Sequence, residues 1–401
     1  MGVAISYMGT KRAIAPAVTD VIGHAQPGTL LDVFSGMCAV GEAVGPSRAI
    51  WNNDVQYFAS EVARALFTSR DAPMSPLSYG DRHFESFRSH RERLNHSFAS
   101  SLAAESDLLV AFSFSAFDKA LRQLTRAIFS DATKCKMRSP HLFASTYSGT
   151  YFGISQAIEA DAIVHSLETG RASGATTSDE KRWGQIALGR ALLKIANSTG
   201  HFAQYLKPKR TTYQRYLRLR RRSLWAEWLT SVGAMSAVGE TSWRRKNKVF
   251  RRNCLDLLPE LARKKEDVSV IYADPPYTDD QYSRYYHLLE TLCRYDYPQV
   301  SGVGLYRPGR FQTPFSVKSM AAKALSDLIE GCAKTGADLV LSYPTNGLVV
   351  ESGADIRALL RKFFRRVETS HSIAHKHSTF GASKGAAHSN ATELIYFARS
   401  C

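Results

Sequence analysis

Residues 268–277 read VSVIYADPPY: six residues rich in β-branched and aromatic side chains, without a charge, followed at once by Asp274-Pro275-Pro276-Tyr277. A run of that length and composition predicts a buried strand of a parallel sheet. The run ends on an acid. In an open α/β sheet the crevice that takes ligands lies just outside the carboxyl ends of the strands, so Asp274 is expected at a crevice. A given tetrapeptide of this composition arises by chance in roughly one chain of this length in a thousand, which leaves an ordinary Asp-Pro turn as the weaker reading.

The flanks repeat the same grammar. Residues 29–34 (TLLDVF) form a short apolar run that stops at a glycine-containing turn, with a helix able to begin at Glu42. A second strand over residues 48–52 ends before Asp54, and residues 57–69 show helical spacing. Further on, residues 255–264 predict a helix, residues 337–342 (ADLVLS) a strand ending at Tyr343-Pro344, and residues 393–398 (ELIYFA) a closing apolar strand. Strand-helix units in succession specify a parallel α/β sheet. Between the flanks, residues 81–201 are mixed and largely helical, broken by the polar loop 169–178 (TGRASGATTS). The expected organisation is therefore one α/β domain from residues 1–80 and 245–401, with residues 81–244 looped out as an insertion.

The 401 residues are 44% hydrophobic and 11% aromatic, enough for a real core, which excludes disordered and fibrous architectures. No apolar run approaches the roughly 18–20 residues that span a bilayer, and Lys11, Arg12 and Asp20 interrupt any signal-like core, so the cytoplasm is the expected compartment and no membrane partner is expected. Six cysteines stand without CxxC or Cys/His spacing. They predict reduced thiols and no metal site.

A net charge of +16 draws the chain toward polyanions. Residues 201–252 hold fourteen Lys and Arg against Glu227 and Glu240, and residues 207–222 (KPKRTTYQRYLRLRRR) have eight basic residues and no acid. The candidates for phosphate contact are Lys207, Lys209, Arg210, Arg215, Arg218, Arg220, Arg221, Arg222, Arg244 and Arg245. Tyr213, Tyr216, Trp225, Trp228 and Trp243 are interleaved with them, and cations with aromatic faces suit nucleic acid better than lipid. A solvated basic helix face, or a stretch of the nuclear-localisation type, is the plainer alternative.

Asp274-Pro275-Pro276-Tyr277 resembles the signature of the S-adenosylmethionine-dependent DNA adenine-N6 methyltransferases of the Dam-like group. Other blocks agree in order. Tyr7-Met8-Gly9-Thr10-Lys11 is similar to the family's opening Tyr-x-Gly-Ser-Lys. Asp32-Val33-Phe34-Ser35-Gly36-Met37-Cys38, then Gly41, is similar to its cofactor loop, with Val33 in place of a proline and Cys38 in place of a second glycine. Asn53-Asp54 and Asp256 match acids that the family places after the second strand and before the signature strand, and residues 281–290 (QYSRYYHLLE) look like the helix that follows the signature.

The resemblance implies a Rossmann-like methyltransferase sheet with a large, mainly helical inserted target-recognition domain. It implies S-adenosylmethionine as cofactor, double-stranded DNA as partner, and a site-specific transfer of methyl to adenine N6 of a flipped-out base. Asp274, Pro275, Pro276 and Tyr277 are then catalytic, and Tyr7, Gly9, Lys11, Asp32, Phe34, Gly36, Gly41, Asp54 and Asp256 bind the cofactor. The chemistry agrees: adenine's amino lone pair is delocalised, and Asp274 with the Pro275 carbonyl could each accept one N–H bond and localise it. Three alternatives stay open: RNA adenine as acceptor, cytosine N4 as acceptor, or a DNA-binding subunit of a restriction or phage-defence complex without turnover, with a cognate restriction or defence protein as a further partner.

Overall fold

The computed structural model describes residues 11–378 and 388–400. Two compact units form. One comprises Asp71–Ser236 and Arg284–Gly309; the other takes the residues up to Arg70, Ala237–Ser283 and those from Arg310 onward.

The second unit is built on a seven-stranded sheet. Its strands are β1 (Leu30–Asp32), β2 (Ile50–Asn53), β3 (Lys248–Phe250), β4 (Val270–Ala273), β5 (Asp338–Pro344), β6 (Arg366–Ser378) and β7 (His388–Arg399), in the order β3-β2-β1-β4-β5-β7-β6. The first five are parallel; β7 runs antiparallel to β5, and β6 antiparallel to β7. This is an α/β methyltransferase sheet, as the sequence implied. Strands β1, β2, β4 and β5 are buried along their whole length, which is why none of them alternates apolar with polar residues. Leu31, Ile271, Leu339 and Leu341 pack on Leu258 of the helix Cys254–Lys264 and on Leu325 and Leu328 of the helix Ala321–Lys334. Each such side chain contributes about 1.5–3 kcal/mol by leaving water.

The expected strands are present; β1, β2 and β4 are one to three residues shorter than expected, and β5 and β7 are longer. Strand β6 was not expected. It lies at the sheet's edge, its described side chains are exposed or half-buried, and its polar sequence carries no apolar signature.

The other unit is helical. Its central helix, Ile154–Ala172, is buried on nearly every face. Four buried carboxylates each reach the first turn of a neighbouring helix, where backbone N–H groups lack intrahelical acceptors. Glu105 accepts from the N–H groups of Ile154 and Ser155, both at 2.9 Å. Glu159 accepts from Leu224 at 2.6 Å and Trp225 at 3.0 Å, and Asp161 from Phe143 at 2.9 Å and Ala144 at 2.8 Å. Asp131 accepts from the N–H and hydroxyl of Ser101. The unit differs from the expected 81–244: it runs from Asp71 to Ser236 and takes in residues 284–309 as well. There the helix His287–Arg294 is anchored by His287 Nε2 at 2.9 Å from the Phe202 carbonyl, and Tyr295 donates its hydroxyl to Asp161. Among the described residues no helix is long and apolar enough to cross a membrane.

Candidate active site

Strands β1 and β4 are parallel neighbours whose chains continue to opposite sides of the sheet, with Asp32 level with Tyr272. Such a switch point opens a crevice beyond the strand ends. After β1 the chain bends sharply, with Gly36 at φ 48° and Cys38 at φ 63°, before the helix Ala39–Val44. Val33 N–H donates to the Tyr272 carbonyl at 3.1 Å, a bond that the family's proline could not make. Cys38 occupies a left-handed conformation in which glycine is the unstrained residue, so the Cβ at this position carries a conformational cost. Asp54 secures the bend, accepting from Gly36 N–H at 3.0 Å and Gln56 N–H at 2.9 Å. Asn53 ties the end of β2 to the Val33 carbonyl and to both backbone groups of Arg252.

Asp274 stands directly past β4. Lys11 Nζ lies 3.0 Å from Asp274 Oδ1 and 2.8 Å from Glu393 Oε1, and 5.2 Å from the centre of the Tyr277 ring. All three charged groups are largely withdrawn from water; Glu393 is fully so. Burial pushes the Asp274 carboxyl up to about 7; Lys11 opposes that shift and Glu393 adds to it. Desolvation works against the Lys11 ammonium, yet Asp274 and Glu393 together hold its pKa well above the ordinary lysine value. Tyr277 packs edge-on against Tyr343 at 6.3 Å, and its carbonyl accepts from Leu348 N–H, which fixes the tetrapeptide's far end.

Lys11, Asp274 and Tyr277 line one cleft in the sheet unit. Of the residues expected from sequence, Lys11, Asp32, Phe34, Gly36, Asp54 and the whole tetrapeptide Asp274–Pro275–Pro276–Tyr277 face it. Lys11, expected at the cofactor, lines the cleft and pairs with the tetrapeptide's acid. Gly41 is not on the cleft: it lets the helix Ala39–Val44 pack closely, since a Cβ there would meet the Phe67 ring at 3.0 Å. Asp256 is exposed and off the cleft; Asn253, which caps the same helix by accepting from Leu255 N–H at 3.2 Å, lines it in its place. Tyr7 and Gly9 fall outside the described residues.

Three further residues contribute to the site without a signal in the sequence that singles them out. Glu393 opens an apolar run 119 residues after Asp274, and only the register of β7 against β5 brings it to Lys11. Gln281 clamps the main chain of Thr313, accepting its N–H at 2.9 Å and donating to its carbonyl at 3.3 Å. Phe315 stands edge-on to Phe34 at 5.5 Å.

Asp32 is buried at the cleft with one oxygen on Phe34 N–H, and among the described residues it forms no ion pair. Burial, with Asp274 and Asp54 adding to it, raises its pKa well above the ordinary range. A buried acid of that kind fits a cationic ligand, and S-adenosylmethionine carries a sulfonium and an ammonium.

The basic candidates separate by environment. Lys207, Lys209, Arg210, Arg215, Arg218, Arg221, Arg222 and Arg245 are exposed. Arg220 and Arg244 are not phosphate ligands. Arg220 is buried, donates to the carbonyls of Tyr151 (3.0 Å) and Thr150 (2.9 Å), and lies over the Tyr216 ring. Arg244 is buried against the carbonyls of Ser69, Val238 and Gly239. The interleaved aromatics are packing residues too: Tyr216, Trp228 and Trp243 are buried, and Trp225 stacks on Phe87 at 4.1 Å.

Residues 246–339, which carry β3, β4 and the tetrapeptide, match the family model of the D12 class N6 adenine-specific DNA methyltransferases. The chain is 21% identical over 363 residues to the modification methylase StsI of Streptococcus sanguinis, covering 89% of this chain and 46% of that protein. It is 21% identical over 348 residues to the modification methylase LlaI of Lactococcus lactis subsp. lactis, covering 86% and 46%. A 93-residue stretch is 34% identical to the type II methyltransferase M.FokI of Planomicrobium okeanokoites, covering 23% and 14%. The chain thus spans about half the length of the first two relatives. The resemblance carried by Asp274–Tyr277 and the methyltransferase fold both stand on these matches.

Proposed function

We propose that this chain transfers the methyl group of S-adenosylmethionine to the exocyclic nitrogen of adenine in double-stranded DNA, in the cytoplasm, as the modifying partner of a restriction or defence system. The observation that carries the reading is Asp274: an acid past β4, in the cleft, ion-paired to a buried lysine, inside the segment that matches an adenine-specific family.

When bound, the cofactor would supply an electrophilic methyl on a positively charged sulfur, which keeps the electron pair of the broken C–S bond and leaves as a neutral thioether. Asp32, Phe34, Gly36, Asp54 and Asn253 are the residues that would hold it, the two acids facing its cationic groups and hydroxyls. Asp274 accepts one amino hydrogen of the adenine and the Pro275 carbonyl the other, which draws the nitrogen lone pair out of the ring and toward the methyl. As the N–C bond forms the nitrogen becomes acidic, and its proton passes to Asp274, whose carboxyl near 7 can receive it and release it to water. Lys11 favours the ionised carboxyl, opposing the upward push of burial. The Tyr277 ring offers a face to the extrahelical base, and stacking of about 1–3 kcal/mol offsets much of the cost of leaving the duplex.

The test is transfer of labelled methyl from S-adenosylmethionine to plasmid DNA, followed by nucleoside analysis. N6-methyladenine is expected. Label only in N4-methylcytosine, or only in added RNA, overturns the acceptor; DNA binding with no calorimetric heat from S-adenosylmethionine overturns the activity.

A further inference from the structure

In the helical unit, the helices Ala99–Leu109 and Phe114–Lys134 are joined by a short turn, residues 110–113. Its tip is apolar and open to solvent: Val110 is 76% exposed and Phe112 91%. Single exposed hydrophobics are common, but two within three residues at the end of a helical hairpin form a protruding apolar point. The turn is held at both ends. Ala111 N–H donates to the Leu108 carbonyl, and Ser113 caps the following helix, its hydroxyl accepting from Ala116 N–H at 3.2 Å. Leu108 and Phe117, which flank the turn, belong to one apolar cluster with Tyr216 and Leu217 of the basic helix Tyr213–Arg220.

The cations therefore sit beside the tip. Arg221 donates to the Leu109 carbonyl at 2.6 Å, one residue before the turn. Arg210 and Tyr213 share a surface hollow with Ser113 and Phe114. Asp118, the acid in that hollow, is already paired with Arg122 at 2.6 Å. Exposed Lys209, Arg215 and Arg218 complete a positive surface whose own aromatics are buried or packed. An apolar tip with Arg221 and Arg210 beside it is complementary to the DNA duplex, whose backbone is anionic and whose interior is a stack of apolar faces.

We propose that Phe112 is an apolar wedge that enters the base stack of duplex DNA while the surrounding cations hold the flanking phosphates. The inference rests on the reading of DNA as substrate, and its test reads binding rather than methylation. Phe112→Ala is expected to weaken binding of a mixed-sequence duplex about tenfold, the loss of one stacked ring, with the salt dependence of binding unchanged. Replacing Lys209, Arg210 and Arg218 by Gln is expected to flatten that dependence by up to about one log-slope unit for each phosphate that is no longer held. Phe112→Trp should retain affinity and lose emission when duplex is added, beyond any change of the native chain; that variant decides the matter should Phe112→Ala fail to fold. Wild-type affinity in Phe112→Ala, or unmoved emission in Phe112→Trp, overturns the proposal. So does sedimentation of the native chain as a dimer that Phe112→Ala dissociates, which would make the tip a contact between copies. If plasmid is never methylated yet Phe112→Ala loses duplex affinity, the activity falls and the wedge stands; the reverse pattern removes the wedge alone.

Discussion

The two units bury charge in different ways. In the helical unit Glu105, Glu159, Asp131 and Asp161 are answered mainly by backbone N–H groups at helix starts. In the sheet unit Asp274 is answered by a side-chain cation, Lys11, which a second buried acid, Glu393, holds in place. The first arrangement spends each acid on satisfying donors that would otherwise be orphaned, so it is architecture. The second leaves Asp274 on a cleft with its ionisation tuned by neighbours, which is the arrangement that the proposed chemistry requires.

The strongest way to break that contrast is to remove one acid from each side. Asp274→Ala should lower methyl transfer by about 10²–10⁴, with duplex affinity within a few fold of wild type and thermal unfolding close to it. Simultaneous collapse of stability would make Asp274 architectural. Glu105→Ala should do the reverse: two buried N–H groups lose their acceptor, costing about 2–4 kcal/mol in denaturant unfolding. Its methyl transfer per folded molecule should hold. A Glu105→Ala variant of unchanged stability would mean that the helix start of Ile154–Ala172 has another acceptor.

How much of this was legible in the sequence also divides along the same line. The buried parallel strands were readable because both faces are covered and the code is a simple apolar run, and Asp274 was readable because it ends one. Glu393 was not, since nothing local distinguishes it from a strand's polar start; the β5–β7 register alone brings it to Lys11. The arginines of residues 207–222 looked alike in sequence, yet Arg220 is a buried brace and Arg218 is exposed, because helical periodicity turns one inward and the other out. Residues 284–309 read as a continuation of the tetrapeptide's neighbourhood, and their return to the helical unit depends on packing of His287 and Tyr295 that no short-range pattern encodes.

The tuning of Asp274 can be sharpened by pH. The carboxylate is the competent form, and burial places its pKa at about 7 despite Lys11. Single-turnover methylation should therefore rise with pH to half its plateau near 7. Lys11 lowers the Asp274 pKa, so Lys11→Met should move that midpoint to more alkaline pH by about one unit or more, while Lys11→Arg should largely restore it. A midpoint that stays put in Lys11→Met would show that another group governs ionisation. In the helical unit the sign is read in stability instead. Burial raises Asp161 to about 7, so the folded state holds a proton that the unfolded state has released between about pH 4 and 7. Stability from this group is full below about 4 and is lost as pH rises through about 7. Asp161→Asn should flatten that slope in urea unfolding followed over the same range.

The smallest expected effect concerns the bend after β1. Cys38 is fully buried and left-handed, a conformation costing a residue with a Cβ about 1–2 kcal/mol. Deleting the thiol alone, in Cys38→Ala, removes packing and keeps the strain. Cys38→Gly removes both, although glycine returns roughly 0.5–1 kcal/mol of that gain through its freer unfolded chain. The glycine variant should therefore exceed the alanine variant by up to about 1 kcal/mol in unfolding free energy. The bend is held by Asp54 on Gly36 N–H and by Ser35 N–H on the Asn53 carbonyl, neither of which uses the Cys38 side chain. S-adenosylmethionine affinity should accordingly be alike in the two variants. An alanine variant more stable than the glycine one would mean that position 38 is not left-handed in solution. A difference in cofactor affinity between them would show that the loop's path depends on this residue, and the sheet unit would then carry strain at its cofactor loop as well as charge at Asp274.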